Sequence, residues 1–122
     1  MPYVIQNINV YSGTATLTVG TETEIVSITP SGNPISIIEG FIDVSQMSSG
    51  TELDIYEYIS QDGTTFLKFT AAKLLTPPQA PLIHFYSKAV PGGGGYKVTA
   101  LQNGGTGITV SYYFVEYVLA LS

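Results

Sequence analysis

TELDIYEYISQDGTTFLKFT, residues 51–70, reads as two strands and the turn that joins them. Apolar and polar residues alternate along its first half. Leu53, Ile55 and Ile59 share one face with Glu57, and Glu52, Asp54, Tyr56 and Tyr58 share the other. A period of two belongs to a strand, whose successive side chains point to opposite faces. Asp62-Gly63 accepts the positive φ of a tight β-turn. Residues 65–70 then return, with Phe66 beside Lys68 on one face and Leu67 beside Phe69 on the other.

The same pattern extends outward in both directions. Ala15, Leu17 and Val19 alternate with Thr14, Thr16 and Thr18, and Gly20-Thr21 turns the chain. Residues 24–29 form a second strand, stopped by Pro30 and Pro34. Over residues 35–44, Ile38, Gly40, Ile42 and Val44 face one way and Glu39, Phe41 and Asp43 the other. Residues 71–76 (AAKLLT) hold helix formers over a single turn and leave the choice between helix and strand open. A proline-rich connector at 77–81 ends them. Strands follow over 82–90, 96–102 and 108–121, separated by the Gly-rich loops 91–95 and 103–107. Nowhere does an i, i+3, i+4 apolar stripe persist. About eight strands at spacings of ~8–14 residues predict an all-β fold, an antiparallel eight-stranded β-sandwich. A single jelly roll is the leading topology and an immunoglobulin-like sandwich the runner-up. The chain of 122 residues suits one domain, with residues 1–12 as an extended N-terminal arm and 13–122 as the sandwich.

Charge is scarce. Lys and Arg total 4 and Asp and Glu 9, so 11% of residues are charged, against roughly 25% in an ordinary soluble domain. No arginine is present, residues 1–21 carry no charge, and residues 98–122 carry only Glu116. Four lysines at a net charge of −5 are poor material for neutralising phosphates, which argues against nucleic acid as a partner. With no cysteine there is no disulfide and no thiolate. The N-terminal residues lack the basic and apolar regions of a secretory signal. No apolar run reaches the roughly 20 residues of a membrane helix, so membrane insertion is not expected.

The strongest constellation is the last strand. Tyr113, Val115, Tyr117 and Leu119 line one face, and Tyr112, Phe114, Val118 and Ala120 the other. A strand apolar on both faces is covered on both. One cover is the domain's own core, and the other is expected to be another subunit. Tyr3, Val4 and Ile5 in the N-terminal arm join Tyr112, Tyr113, Phe114, Val115, Tyr117 and Leu119 as candidate interface residues.

Catalytic and metal readings are weaker. His84 is the only histidine, and no G-x-S-x-G elbow accompanies it. Glu52 and Asp54 project from one face, yet no Ca²⁺ loop surrounds them, and a solvated or lysine-paired face is expected. The 92–95 glycine run lacks the Lys and the helix of a phosphate loop. No metal, cofactor or catalytic residue is expected, and the chain is not read as an enzyme. Glu57 and Glu116 each fall on an otherwise apolar face, which is costly unless the carboxylate is paired. Lys68, Lys88, Lys97 or a tyrosine hydroxyl could serve. Tyr56 and Tyr58 could stack on a sugar, which keeps a carbohydrate- or receptor-binding module as the alternative function.

SSGTELDIYEYISQDGTTFLKF at residues 48–69, then PLIHFYSKA, YKVTALQNGGT and an aromatic final strand, together carry a family likeness. The stretch resembles small β-sandwich structural proteins of tailed phages and of tailless archaeal and bacterial viruses. The likeness lies in the strand with Gly50, Glu52, Leu53, Ile55, Glu57 and Tyr58, and in the Asp62-Gly63 hairpin. It continues through the strand with Pro81, Ile83 and Phe85, and through Tyr96 to Thr99 ahead of the Gly104 to Thr106 loop. Those proteins often carry Lys or Arg after the second strand, where only Lys68 and Lys73 are available here. The resemblance implies a minor capsid, penton, turret or decoration protein. Its partners would be copies of itself and other virion proteins, in a particle assembled in the host cytoplasm.

Overall fold

A computed structural model describes residues 2–32 and 34–121. Met1, Asn33 and Ser122, which fall in the expected arm, the 30–34 turn and the end of the sandwich, lie outside the described residues. The strands are β1 (Tyr3–Thr16), β2 (Glu22–Ile28), β3 (Ile35–Asp43), β4 (Glu52–Ser60), β5 (Phe66–Leu74), β6 (Leu82–Pro91), β7 (Gly95–Asn103) and β8 (Thr109–Leu121). They form two four-stranded sheets, ordered β1-β8-β3-β6 and β2-β7-β4-β5. Every pairing is antiparallel. Only β4 and β5 are both consecutive and in one sheet. All other connections cross between sheets, which is the winding of a jelly roll. The 51–70 hairpin is thus the one local pairing, and the remaining pairs are long-range.

Two segments take their place through sheet pairing. Residues 71–74 belong to β5, because Ala71, Ala72, Lys73 and Leu74 pair with Tyr56, Ile55, Asp54 and Leu53. Sheet pairing overrides a helix preference worth only tenths of a kcal/mol per residue. Residues 3–12, read as an arm, are extended, and they lie in register against β8 of the same chain. β1 ends at Thr16, so Leu17 still enters the core while Val19 is exposed, ahead of the turn at Gly20 with φ 85°.

The core lies between the sheets. Ile38, Ile42, Val90, Val110 and Phe114 from the first sheet meet Leu53, Ile55, Tyr96, Val98 and Ala100 from the second. Gly40 makes this packing possible. A Cβ there would collide with the Phe114 ring and the Tyr113 carbonyl oxygen, so the absent side chain leaves the space that Phe114 fills. Asp62 shapes the β4–β5 turn. Its Oδ1 accepts the amides of Thr64 and Thr65, each at 2.8 Å, and the Ser60 hydroxyl. Those amides, Thr65 first, hold the carboxyl down at about 2, and Gly63 takes the positive φ of 81°.

Two carboxylates face inward, as their positions on apolar faces predict. Glu57 of β4 is tied across the sandwich to Lys88 of β6 at 2.8 Å. It also accepts the hydroxyl of Tyr96 on β7 at 2.5 Å. Glu116 of β8 is 2% exposed. Its Oε1 accepts Asn9 Nδ2 at 3.1 Å and the Tyr11 hydroxyl at 2.9 Å, and its Oε2 accepts the Ser36 hydroxyl at 2.7 Å. Gln102, fully buried, performs a similar service for a loop. Its amide donates to the Gly104 and Thr106 carbonyls, and its oxygen accepts the Ile108 amide.

Two predictions arise from this interior. Gly40→Ala should destabilise the fold by about 2–3 kcal/mol through overpacking, read as a lower denaturant midpoint at an unchanged slope. Burial, then the hydrogen bond and charge of Glu116, push the Tyr11 hydroxyl up to about 12, whereas an unfolded tyrosine titrates near about 10. The folded state therefore holds the proton longer. Tyr11 contributes stability that is complete below about pH 10 and lost as pH rises through about 12. Urea unfolding across that window should show stability falling with pH, and Tyr11→Phe should flatten part of the fall. An identical slope in the variant would refute the assignment.

Candidate assembly surface

Register sorts the chain's few charges by location. Glu22, Glu24, Glu52, Asp54, Lys68, Lys73 and Lys97 lie on the outward side of the β2-β7-β4-β5 sheet. Glu57, Lys88 and Glu116 lie on inward faces, and Asp62 is in the hairpin turn. That leaves Glu39 and Asp43 as the only acidic or basic side chains at outward positions of β1, β8 and β3 among the described residues.

The outward face of β8 is the centre of an apolar surface. Tyr113 lies opposite Phe41 on β3, Val115 opposite Val10 on β1, Tyr117 between Ile8 and Ile37, and Leu119 between Ile5 and Ile35. Phe41 and Tyr113 stack with ring centroids 5.6 Å apart. Ile5, Ile8 and Val10 are each more than half exposed, and Tyr113 is 40% exposed. Val115, Tyr117 and Leu119 are partly covered by these neighbours. The one carboxylate within this surface, Glu39, accepts the Ser87 hydroxyl at 2.7 Å. A monomer's surface seldom gathers this many adjoining aliphatic and aromatic side chains without a partner.

The structure divides the expected interface residues. Tyr3, Ile5, Tyr113, Val115, Tyr117 and Leu119 share the outward register. Val4 pairs with Ala120 on the opposite side of the same two strands and is 45% exposed. Phe114 is completely buried and Tyr112 packs against the core, so both serve the chain's own interior. Ile8, Val10, Ile35, Ile37 and Phe41 complete the surface. The alternation of Phe41 with Ile42 is visible in the sequence, but that β3 lies beside β8 is not.

The opposite sheet offers a different chemistry. Tyr58 donates to Glu22 at 2.7 Å, as does Thr99. Those two hydroxyls, Tyr58 first, lower the Glu22 carboxyl. The Lys68 ammonium lies 3.7 Å from the Tyr56 ring centroid, and Lys97 lies 4.9 Å from that of Tyr58. Lys73 reaches Asp54 at 3.5 Å, so Asp54 is lysine-paired. With an ammonium over each ring, the tyrosine faces a sugar would stack on are engaged in cation–π contacts. His84 meets Tyr86 edge-on at 5.6 Å. Among the described residues no group of three or more His, Cys, Asp or Glu is arranged to hold a metal ion.

By sequence, the chain matches no protein-family model and no curated protein. By fold, it is similar to the VP2 subviral particle protein of infectious bursal disease virus, at 14% identity and a TM-score of 0.49, over 93% of this chain and 33% of that one. A structure of the Gx strain of the same virus gives 14% identity and a TM-score of 0.48, over 94% and 33%. The chain therefore spans about a third of the length of these solved structures.

Proposed function

We propose that this chain is a structural subunit of a virus particle, a minor capsid, penton or decoration component. It works by symmetric self-association and by contact with other capsid proteins. The observation that carries the reading is a jelly roll with one outward sheet face that is apolar and nearly free of charge. Apolar surface removed from water drives association without directional chemistry, and a closed symmetric assembly covers the same patch on every copy. The resemblance of residues 48–69 and the following strands to small virion β-sandwich proteins points the same way. The role needs no catalytic group and no cofactor, and it places the chain in the virion after assembly in the host cytoplasm.

Native mass spectrometry at micromolar concentration tests the self-association. The wild-type chain should run as a closed oligomer. Tyr117→Glu, an outward change at the centre of the patch, should weaken that oligomer roughly 30-fold or more while leaving the circular dichroism spectrum of the fold unchanged. A clean wild-type monomer at these concentrations would overturn the reading. Purified particles from the source host, digested and sequenced by mass spectrometry, should contain the chain.

A further inference from the structure

A jelly roll has four sheet edges, and three of them here are protected. β2 is short, carries Glu22 and Glu24, and has a register break between Glu24 and Val26. β5 carries Lys68 and Lys73. β6 carries Pro91 and the inward-pointing Lys88. Charges, prolines, bulges and inward lysines are the usual devices that keep a sheet edge from pairing with another chain. β1 lacks nearly all of them. Its residues, YVIQNINVYSGTAT, include no charge and no proline. The only irregularity is the register shift between Ile5 and Asn7.

From Asn7 to Thr16, β1 runs in unbroken register with β8, a stretch of about 30 Å at strand rise. β8 is its one partner in the sheet. The far side of the strand presents alternating N–H and C=O groups that any extended segment could extend. Most of β1 is exposed, and only Asn9, Tyr11, Ala15 and their neighbours across β8 tie it inward.

We infer that the 7–16 stretch of β1 pairs edge to edge, antiparallel, with the same stretch of a second copy, joining two four-stranded sheets into one of eight strands. A second copy is the occupant that the chemistry favours. An antiparallel pairing about a two-fold axis satisfies the open edges of both copies at once. An uncharged edge meeting its own copy buries no unpaired charge. The pairing would set Ile8 and Val10 of each copy across from the Ser12 to Thr16 end of the other. The two apolar outward faces would then lie on the same side of the joined sheet. The inference rests on the self-association reading and specifies its geometry.

Three measurements on the full chain separate the possibilities. Hydrogen exchange should show the β1 amides that point away from β8 protected at high protein concentration and exposed on dilution. Thr14→Lys combined with Thr16→Lys protects the edge at two exposed positions that lie opposite Ser111 and Thr109, beyond the apolar patch. It should weaken dimerisation tenfold or more by native mass. Because the chain has no cysteine, a nitroxide on Ser12→Cys reports only its own symmetry mate, and short inter-label distances are expected. If the oligomer persists with β1 amides exchanging equally fast at all concentrations, or if the double lysine variant keeps wild-type mass, edge pairing is overturned and association through the face survives. If the wild-type chain is monomeric throughout, both readings fall.

Discussion

A carboxylate buried without a cation must be surrounded by donors, and Glu116 obtains them from the strands on either side. Asn9 and Tyr11 come from β1, and Ser36 comes from β3. Each donor is correctly placed in only one register. A slip of one residue in β1 or β3 would turn its donors outward and strand the charge in the core. The cost of that error holds three strands of one sheet in alignment. The assignment of every side chain on β8 to inside or outside follows from it. Phe114 enters the space beside Gly40, and Tyr113, Val115 and Tyr117 face out.

Glu57 performs the corresponding task between sheets. Its bond to Lys88 joins β4 of one sheet to β6 of the other, with the Tyr96 hydroxyl completing the carboxylate's coordination. Breaking a buried pair by removing one partner costs far more than the intact pair contributes. Both sites therefore act mainly against misalignment. The remaining charges can then gather on one sheet, where ammoniums cover tyrosine rings and hydroxyls bind Glu22. The other sheet is left nearly uncharged, so the two broad faces of a small sandwich have opposite solvation preferences.

Much of this was legible in the sequence because alternation survives in most strands. The strand at 52–60, the Asp62-Gly63 turn and the inward setting of Glu57 and Glu116 all follow from a period of two. Lys88 was one of three candidate partners for Glu57, and only the β3–β6 and β4–β7 pairings single it out. Asn9 and Ser36 gave no signal, because a polar residue on a strand looks like a surface position. Their partner lies 107 and 80 residues away. The start of β1 was obscured for a different reason. The bulge at Gln6 shifts the parity, so Ile5, Ile8 and Val10 share a face without an unbroken alternation. In β5, Ala71, Ala72 and Lys73 favour a helix locally, and only their cross-strand partners decide otherwise.

The Glu116 site also gives β1 two mechanical zones. Residues from Tyr3 to Ile8 lie ahead of the carboxylate and are held by backbone ladder bonds and exposed side chains. Peeling the strand from that end meets little resistance until Asn9. There the next step would strip an interior anion of one donor and then of Tyr11, leaving Ser36 as the only donor among those bonds. β1 therefore behaves as a zipper with a stop set into it. Under load, its first turns of travel are compliant, and the remainder stays closed until the core itself gives way.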